Sequence, residues 1–127
     1  FILTIYLSFF SVYLYASSLK SIQTTCSNFT MIKSSIKANC NAESGAKYIS
    51  SLRLRGIINY NGILKISSDS RIMSDFHLTC NNVTVDASGQ LSASCKNFRN
   101  GYTWSAINLN QILRNYNGTL VYPSVEN

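Results

Sequence analysis

The sequence predicts an all-β domain built from two related halves, and three observations predict it. Residues 52–65 and 107–121 are nearly the same block, and both copies keep Asn-Tyr-Asn-Gly, at residues 59–62 and 115–118. The segments around these blocks mix β-branched and aromatic residues with polar ones and end in clusters of Asn, Asp and Gly, a pattern typical of short strands joined by tight turns. No long amphipathic helix is visible in the sequence.

One hairpin is predicted ahead of each repeated block. Residues 76–85 have strand character, Asp-Ala-Ser-Gly at residues 86–89 forms a turn, and residues 90–95 return. Residues 31–40 show the same tendency. Within the repeated block we expect a short Leu/Ile-x-Leu strand, at most one helical turn at Gly-Ile-Ile or Gln-Ile-Leu, and a type I′ turn at Asn-Gly, because Asn and Gly tolerate positive φ. Neither half has enough apolar residues to close a core alone, so the halves should share one.

Four cysteines accompany these hairpins, two in each half: Cys26, Cys40, Cys80 and Cys95. Four cysteines permit three disulfide pairings. The spacing favours Cys26–Cys40 and Cys80–Cys95, because each pair would bracket one stretch with hairpin character. A metal site is the alternative, but zinc sites usually show Cys-x-x-Cys or nearby histidines, and the only histidine is His77. We therefore expect two disulfides, no metal and no cofactor.

The first 16 residues carry no charge and are mostly apolar. Such a run is short for a membrane span, and it ends in small residues, Ala16-Ser17-Ser18, that a signal peptidase accepts. A buried N-terminal strand or helix and a retained membrane anchor are the alternatives. We expect a secreted protein, with a basic segment missing ahead of Phe1. The predicted organisation is a signal peptide at 1–18, one domain at 19–122 (repeat one 19–65, linker 66–73, repeat two 74–122) and a tail at 123–127.

The charge pattern and the side-chain chemistry argue against several function classes. The formal net charge is +6, but Lys and Arg are scattered, whereas a nucleic-acid-binding protein more often shows a basic stripe interleaved with aromatics. No nucleophile–base constellation or Gly-rich phosphate loop is visible. Asp69, Asp75 and Asp86 could supply a glycosidase pair, although acidic loop residues are usually only solvated. We expect a protein that is not an enzyme and binds neither nucleic acid nor, once processed, membranes.

The four cysteines fall at matching places in the two halves, and the Leu/Ile-x-Leu…Asn-Gly block occurs twice. With this combination, the chain resembles the cyanovirin-N homology (CVNH) family of lectins. Residues 19–26 (Leu-Lys-Ser-Ile-Gln-Thr-Thr-Cys) resemble the family's entry strand, residues 74–80 the entry to its second repeat, and residues 107–122 its closing signature. The resemblance implies an elongated, pseudo-symmetric fold in which each lobe has a three-stranded sheet and a β-hairpin, with segments exchanged between the repeats. It also implies binding of mannose-rich oligosaccharides or glycoproteins, without metal, at up to two opposite ends.

The resemblance further implies either a monomer or a domain-swapped dimer, which some members form by straightening the hinge between repeats. Here the linker at residues 66–73 is longer than the usual hinge and contains no proline. The two oligomeric states therefore stay open.

The resemblance also assigns residues to two polar pockets, and such residues suit sugar hydroxyls, which both donate and accept hydrogen bonds. The first pocket comprises Ser21, Thr24, Thr25, Asn41, Glu43, Asn115, Tyr116 and Asn117. The second comprises Asn59, Asn61, Ser74, Asp75, Thr79, Lys96, Asn97 and Asn100. In the first pocket Ser21, Thr24, Asn41 and Glu43 depart from the family pattern but stay polar. Near the second, Ile58, Leu78 and Phe98 are apolar where the family is commonly polar or charged, so the first pocket is favoured.

Simpler roles compete with these assignments. Both Asn-Tyr-Asn-Gly turns could merely close hairpins, Tyr60 and Tyr116 could be partly buried supports, and Trp104 is expected to pack in the core. Sequons for N-glycosylation occur at Asn28, Asn82 and Asn117; a glycan on Asn117 would occupy the first pocket, so we expect Asn117 to be unmodified. The alternative function is that of a non-lectin secreted protein, which keeps the disulfide-bonded fold and binds a protein or an anionic polysaccharide through its basic surface.

Overall fold

The computed structural model describes residues 18–123. Nearly all of the predicted signal peptide and tail, residues 1–17 and 124–127, lies outside this range. The elements are β1 (Leu19–Lys20), the one-turn helix α1 (Ile22–Thr25), β2 (Cys26–Ile32), β3 (Ser35–Asn41), β4 (Lys47–Arg53), β5 (Ile57–Tyr60), β6 (Ile63–Ile66), a 3₁₀ turn (Phe76–Leu78), β7 (Cys80–Val85), β8 (Gln90–Lys96), β9 (Tyr102–Asn108), a second 3₁₀ turn (Leu109–Gln111), β10 (Arg114–Tyr116) and β11 (Thr119–Val121). The all-β prediction is confirmed.

The sheets follow the predicted plan of two matching units. β2–β3–β4 and β7–β8–β9 are antiparallel three-stranded sheets, and β5–β6 is a hairpin. The other hairpin, β10–β11, gains β1 as a third strand, with Leu19 opposite Tyr116. Cys26 lies directly opposite Cys40, and Cys80 lies opposite Cys95. Both predicted disulfides are present, and each joins the first two strands of one sheet.

Hairpins are exchanged between the sequence repeats. β5–β6 belongs to repeat one, yet the Leu64 N–H donates to Ser105 Oγ of β9 at 2.9 Å. At the matching place, the Leu120 N–H of β11 donates to Ser50 Oγ of β4, also at 2.9 Å. Each lobe thus combines a sheet from one repeat with a hairpin from the other, as the resemblance implied.

A single apolar core is shared by the two repeats. Its fully buried side chains come from both halves: Ile22, Ile36, Leu54, Ile57, Phe76, Leu91, Leu109 and Leu113. Strand pleating explains the pattern, because successive side chains point to opposite faces of a sheet. The inner face of β3 carries buried Ile36 and Ala38, and the inner face of β8 carries buried Leu91 and Ala93.

Trp104 is not a core residue, and that expectation was wrong. It is 66% exposed. It lies opposite Ser94 on β8, while the buried Ala93 and Cys95 on either side of Ser94 point inward. Alternation along the strand therefore places Trp104 on the outer face of its sheet, where its size brings no burial.

Three segments differ locally from the sequence prediction. Residues 19–26 are not one entry strand, because Ser21 caps the single turn of α1 by accepting the Gln23 N–H. Residues 76–78 form a 3₁₀ turn rather than strand. The helical turn expected at Gly-Ile-Ile is absent: the first copy of the block is one residue shorter, and Gly56, with a φ of 77°, leads directly into β5.

No helix within residues 18–123 is long and apolar enough to cross a membrane.

Candidate functional site

The two Asn-Gly turns lie at matching places in the two lobes. Asn117 and Gly118 join β10 to β11 with φ values of 51° and 95°, and Asn61 and Gly62 join β5 to β6 with 54° and 86°. Two successive positive φ angles define the type I′ turn that the Asn-Gly pairs predict. We call the surroundings of the first turn the first end (α1, the loop at residues 42–46 and the turn at 116–118), and those of the second the second end (the turn at 60–62, the loop at 97–101 and the flanking Lys65 and Lys96).

Asn115 is the centre of the first end. Its side chain is 1% exposed. Its Nδ2 donates to Thr25 Oγ1 at 3.0 Å and to the Asn41 carbonyl at 2.9 Å, and its Oδ1 accepts the Gly118 N–H at 2.8 Å. All of these bonds are made to other groups of the protein. Asn115 therefore fastens α1, β3 and the turn together and does not face a ligand.

The first-end loop is fastened to the turn by a second hydrogen bond. Asn117 Oδ1 accepts the Glu43 N–H at 3.0 Å. The Glu43 side chain is exposed and has no hydrogen-bond or ion-pair partner among the described residues. The backbone N–H of Glu43 thus holds this residue, and with it an exposed carboxylate, beside the turn.

The α1 segment supplies the hydroxyl groups of the first end. Thr25 Oγ1 donates to the Ser21 carbonyl at 2.6 Å, and Thr24 Oγ1 donates to the same carbonyl at 3.4 Å. Ser21 Oγ donates to Asn110 Oδ1 at 3.1 Å. The structure thus joins Thr25, Asn41, Glu43, Asn115 and Asn117 through one network, with Ser21 and Thr24 on its edge and Tyr116 beside Asn115 in β10.

Two residues of the first end were missed by sequence reasoning. Asn110 accepts from Ser21 Oγ and from the Gln23 N–H, so it fixes the start of α1. Tyr48 is 54% exposed and packs against the turn so closely that a Cβ on Gly118 would lie 2.6 Å from its Cδ2. The place of Tyr48 follows from the pairing of β4 with β3, in which it lies opposite Cys40.

The second end repeats this frame. Asn59 Nδ2 donates to Thr79 Oγ1 at 3.0 Å and to the Lys96 carbonyl at 3.1 Å, and Asn59 Oδ1 accepts the Gly62 N–H at 2.8 Å. Asn61 Oδ1 accepts the Phe98 N–H at 2.8 Å. Phe98 therefore occupies the position that Glu43 has at the first end, and an exposed ring replaces an exposed carboxylate.

The other predicted residues of the second pocket differ in exposure and in hydrogen bonding. Asn97 is occupied by its own loop: its Nδ2 donates to Thr103 Oγ1, and its Oδ1 accepts the Arg99 and Gly101 N–H groups. Asp75 and Asn100 are exposed. Ser74 has no exposed surface, and its Oγ accepts the Ile57 N–H at 3.0 Å. Ser74 is thus a buried structural residue, and its assignment to a surface pocket is corrected.

Acidic groups elsewhere serve local turns. Asp69 accepts from Arg71 and Asp86 from Ser88, and these hydrogen bonds hold the pKa of each carboxyl below its ordinary value. No group of three or more His, Cys, Asp or Glu side chains that could hold a metal ion occurs within residues 18–123.

All three sequon asparagines are exposed and have positive φ: 55° at Asn28, 54° at Asn82 and 51° at Asn117. Asn28 and Asn82 lie at matching irregularities of β2 and β7. Asn117 belongs to the first end, where its Oδ1 holds the Glu43 loop.

A fold of two disulfide-clasped sheets with exchanged hairpins, carrying a polar turn-and-loop frame at each end, defines the class of protein. Comparison with known proteins assigns the family: residues 23–121 match the model of the CVNH domain. The chain belongs to the CVNH family.

Solved structures show the same fold. A CVNH protein of T. borchii shares 25% identity, with 86% of this chain and 98% of that one covered and a TM-score of 0.62. A complex of microvirin with mannobiose shares 21% identity, with 82% and 99% covered and a TM-score of 0.65. A variant of MoCVNH3 in complex with (N-GlcNAc)4 shares 16% identity, with 82% and 97% covered and a TM-score of 0.67.

Proposed function

We propose that this protein is a secreted lectin that binds mannose-type oligosaccharides without a metal ion, chiefly at the first end. Family membership and the two solved complexes of similar chains with oligosaccharides support carbohydrate binding. Mannose is favoured by the complex of microvirin with mannobiose.

One observation carries the choice of the first end. The hydrogen bond from the Glu43 N–H to Asn117 Oδ1 holds an otherwise unpaired carboxylate beside a rigid turn. A carboxylate accepts hydrogen bonds from two sugar hydroxyls at once, and charge-assisted hydrogen bonds are stronger than neutral ones. Because the supporting amide of Asn115 is already bonded internally, binding a sugar would not require the frame to rearrange. Tyr48 and Tyr116 offer ring surface to the apolar C–H faces of a sugar.

The test is titration calorimetry with mannobiose on wild type and Glu43→Gln, which keeps the shape of the side chain and removes its charge. We expect affinity to fall about tenfold, the loss of about 1.4 kcal/mol that fits one charge-assisted hydrogen bond. EDTA should leave the wild-type affinity unchanged, because no metal participates.

The matched control is Phe98→Ala, at the equivalent position of the second end. It should leave the affinity for mannobiose nearly unchanged. If Phe98→Ala abolished mannobiose binding while Glu43→Gln retained it, the second end would be the mannoside site and the proposal would be wrong.

The salt dependence of binding distinguishes the lectin from the alternative role, in which a non-lectin binds a protein or an anionic polysaccharide. Contacts between solvent-exposed charges weaken as ionic strength rises. A glycan array on which neutral mannosides bind equally well at low and high salt supports the lectin.

Secretion is tested on the natural precursor. The mature secreted protein should begin at or near Leu19, and N-terminal sequencing of material from the medium measures this. Recovery of the chain only inside cells, with residues 1–18 still attached, would contradict the proposal.

A further inference from the structure

The two ends share a frame but differ in chemistry, and we propose that the second end binds an anionic sugar unit, one that carries a carboxylate or a sulfate. This inference rests on the proposed carbohydrate-binding function and assigns its second end a different ligand from the first.

Arg99 is unusual among the arginines of the chain. Within residues 18–123, four arginine side chains have intramolecular partners: Arg53 with the Ser74 carbonyl, Arg55 with the Tyr122 ring, Arg71 with Asp69, and Arg114 with the Leu113 carbonyl. Only the exposed guanidinium of Arg99 lacks a partner in that part of the chain. An unpaired guanidinium is a rigid fork suited to a carboxylate or another oxyanion.

The backbone around Arg99 is fixed. Its N–H donates to Asn97 Oδ1 at 2.9 Å. The preceding residue is tied to the turn by the hydrogen bond from the Phe98 N–H to Asn61 Oδ1 at 2.8 Å. The backbone that carries the side chain is therefore held in place, so binding of a ligand must order the side-chain torsions but not the loop, which limits the entropic cost.

Two exposed rings and two further cations belong to this end. Tyr60 and Phe98 pack edge to face, with centroids 5.6 Å apart, and are 53% and 72% exposed. Lys65 Nζ lies 5.1 Å from the Tyr60 centroid. Lys96 is exposed at the start of the loop, and its carbonyl is bonded to Asn59. The second end thus presents Lys65 over the Tyr60 ring and exposed Lys96 and Arg99 within two residues of Phe98 in the chain, with Asp75 as the acidic residue of the predicted pocket.

The two asparagine amides at the centre of this end are already occupied. The Asn59 amide makes three internal hydrogen bonds and the Asn97 amide also makes three. The carboxylate that Glu43 supplies at the first end is replaced by the ring of Phe98. The charged groups that remain exposed are three cations, Lys65, Lys96 and Arg99, against the one carboxylate of Asp75, and they are accompanied by the Asn100 amide and the apolar ring surface. This combination fits a pyranose that stacks a C–H face on the rings and directs an anionic substituent to Arg99 and Lys96.

The experiment measures binding of two anionic probes, an oligogalacturonate with carboxylates and a heparin-derived oligosaccharide with sulfates, at low and high salt. The test variant is the double substitution Lys96→Gln/Arg99→Gln. The control variant, Lys33→Asn/Lys37→Gln, removes the same charge from β3 and the turn before it; Asn suits position 33, where φ is 56°. Circular dichroism establishes that both variants are folded.

We expect wild type to bind at least one anionic probe, more weakly at high salt. The test variant should lose roughly tenfold in affinity, about the strength of one charge-assisted contact. The control variant should lose less than about threefold, which is half of that free-energy change. Phe98→Ala should also weaken the anionic probe, because it removes the ring. The probe that binds identifies the anionic group.

Two results would overturn the inference. One is equal loss in the test and control variants, which would show that attraction comes from net charge alone. The other is absence of binding to both probes by wild type. Mannobiose titrated into the same samples keeps the two proposals separate, because binding at the first end should be unaffected by Lys96→Gln/Arg99→Gln and weakened by Glu43→Gln as stated above.

Discussion

At the scale of single residues, the two matching asparagines show how a polar side chain becomes structural. Asn115 and Asn59 make the same set of hydrogen bonds, but Asn115 is fully buried and Asn59 is half-buried. A buried polar atom that loses its partner cannot turn to water instead, so removal of a buried amide costs more than removal of one at the surface. Both residues therefore belong to the frames of the ends rather than to their ligand-contacting surfaces.

We predict that Asn115→Ala lowers the free energy of unfolding by about 2–3 kcal/mol, since the Gly118 N–H, the Asn41 carbonyl and the Thr25 hydroxyl all lose a partner. Asn59→Ala should cost about 1 kcal/mol, because water reaches that site. Urea denaturation of the two variants measures the difference. Equal losses would show that burial of the amide does not set its contribution.

At the scale of elements, the type I′ turn between β10 and β11 depends on the backbone conformation and the small size of its glycine. Gly118 has a φ of 95°, in the region that favours glycine, and the Tyr48 ring occupies the space a Cβ would need. Gly45, in the first-end loop, has a φ of 92° but nothing within 4 Å of a Cβ. The two positions share the backbone requirement and differ in the close approach of a side chain.

We predict that Gly45→Ala destabilises the protein by about 1 kcal/mol, the conformational penalty alone. Gly118→Ala should cost about 1–3 kcal/mol more, because the Tyr48 ring must move. It should also weaken mannobiose binding by displacing that ring. Thermal unfolding and calorimetry measure both effects; identical stability of the two variants would contradict the packing argument.

At the scale of the whole molecule, exchange of hairpins makes the two repeats depend on each other. β5–β6 of repeat one packs on β9, and β10–β11 of repeat two packs on β4. The core contains side chains from both repeats, for example Ile36 and Leu91. Neither sheet retains its apolar cover if the other repeat unfolds, so we expect cooperative unfolding of the whole chain.

We predict that the double substitution Cys80→Ala/Cys95→Ala, which removes one disulfide, lowers the free energy of unfolding by about 3 kcal/mol. Hydrogen exchange should speed up in β2–β4 as well as in β7–β9, because both sheets open in the same event. Faster exchange confined to β7–β9 would show that the repeats unfold independently.

The sequence alone determined the features that depend on local pattern and on its repetition. The doubled Asn-Tyr-Asn-Gly block, the strand-like segments and the cysteine spacing predicted an all-β pair of repeats, and the disulfide pairing followed because each cysteine pair brackets its own hairpin. These predictions of fold and disulfide pairing were confirmed because turn chemistry and strand periodicity operate over a few neighbouring residues. The resemblance, not local pattern, assigned Asn117 and Glu43 to one pocket, and the structure joins them by a hydrogen bond.

Only the tertiary structure decided which of those residues face outward and which support the frame. Ser74 and Asn115 are polar by sequence yet buried, whereas Trp104 is large and apolar yet exposed. The sequence does not reveal this, because the phase of the pleat follows from the register between strands that are distant in the chain. The same register brings the Phe98 loop onto the Asn61 turn. It leaves Arg99, the next residue after Phe98, without a partner within residues 18–123, and so makes two ends with one frame chemically different.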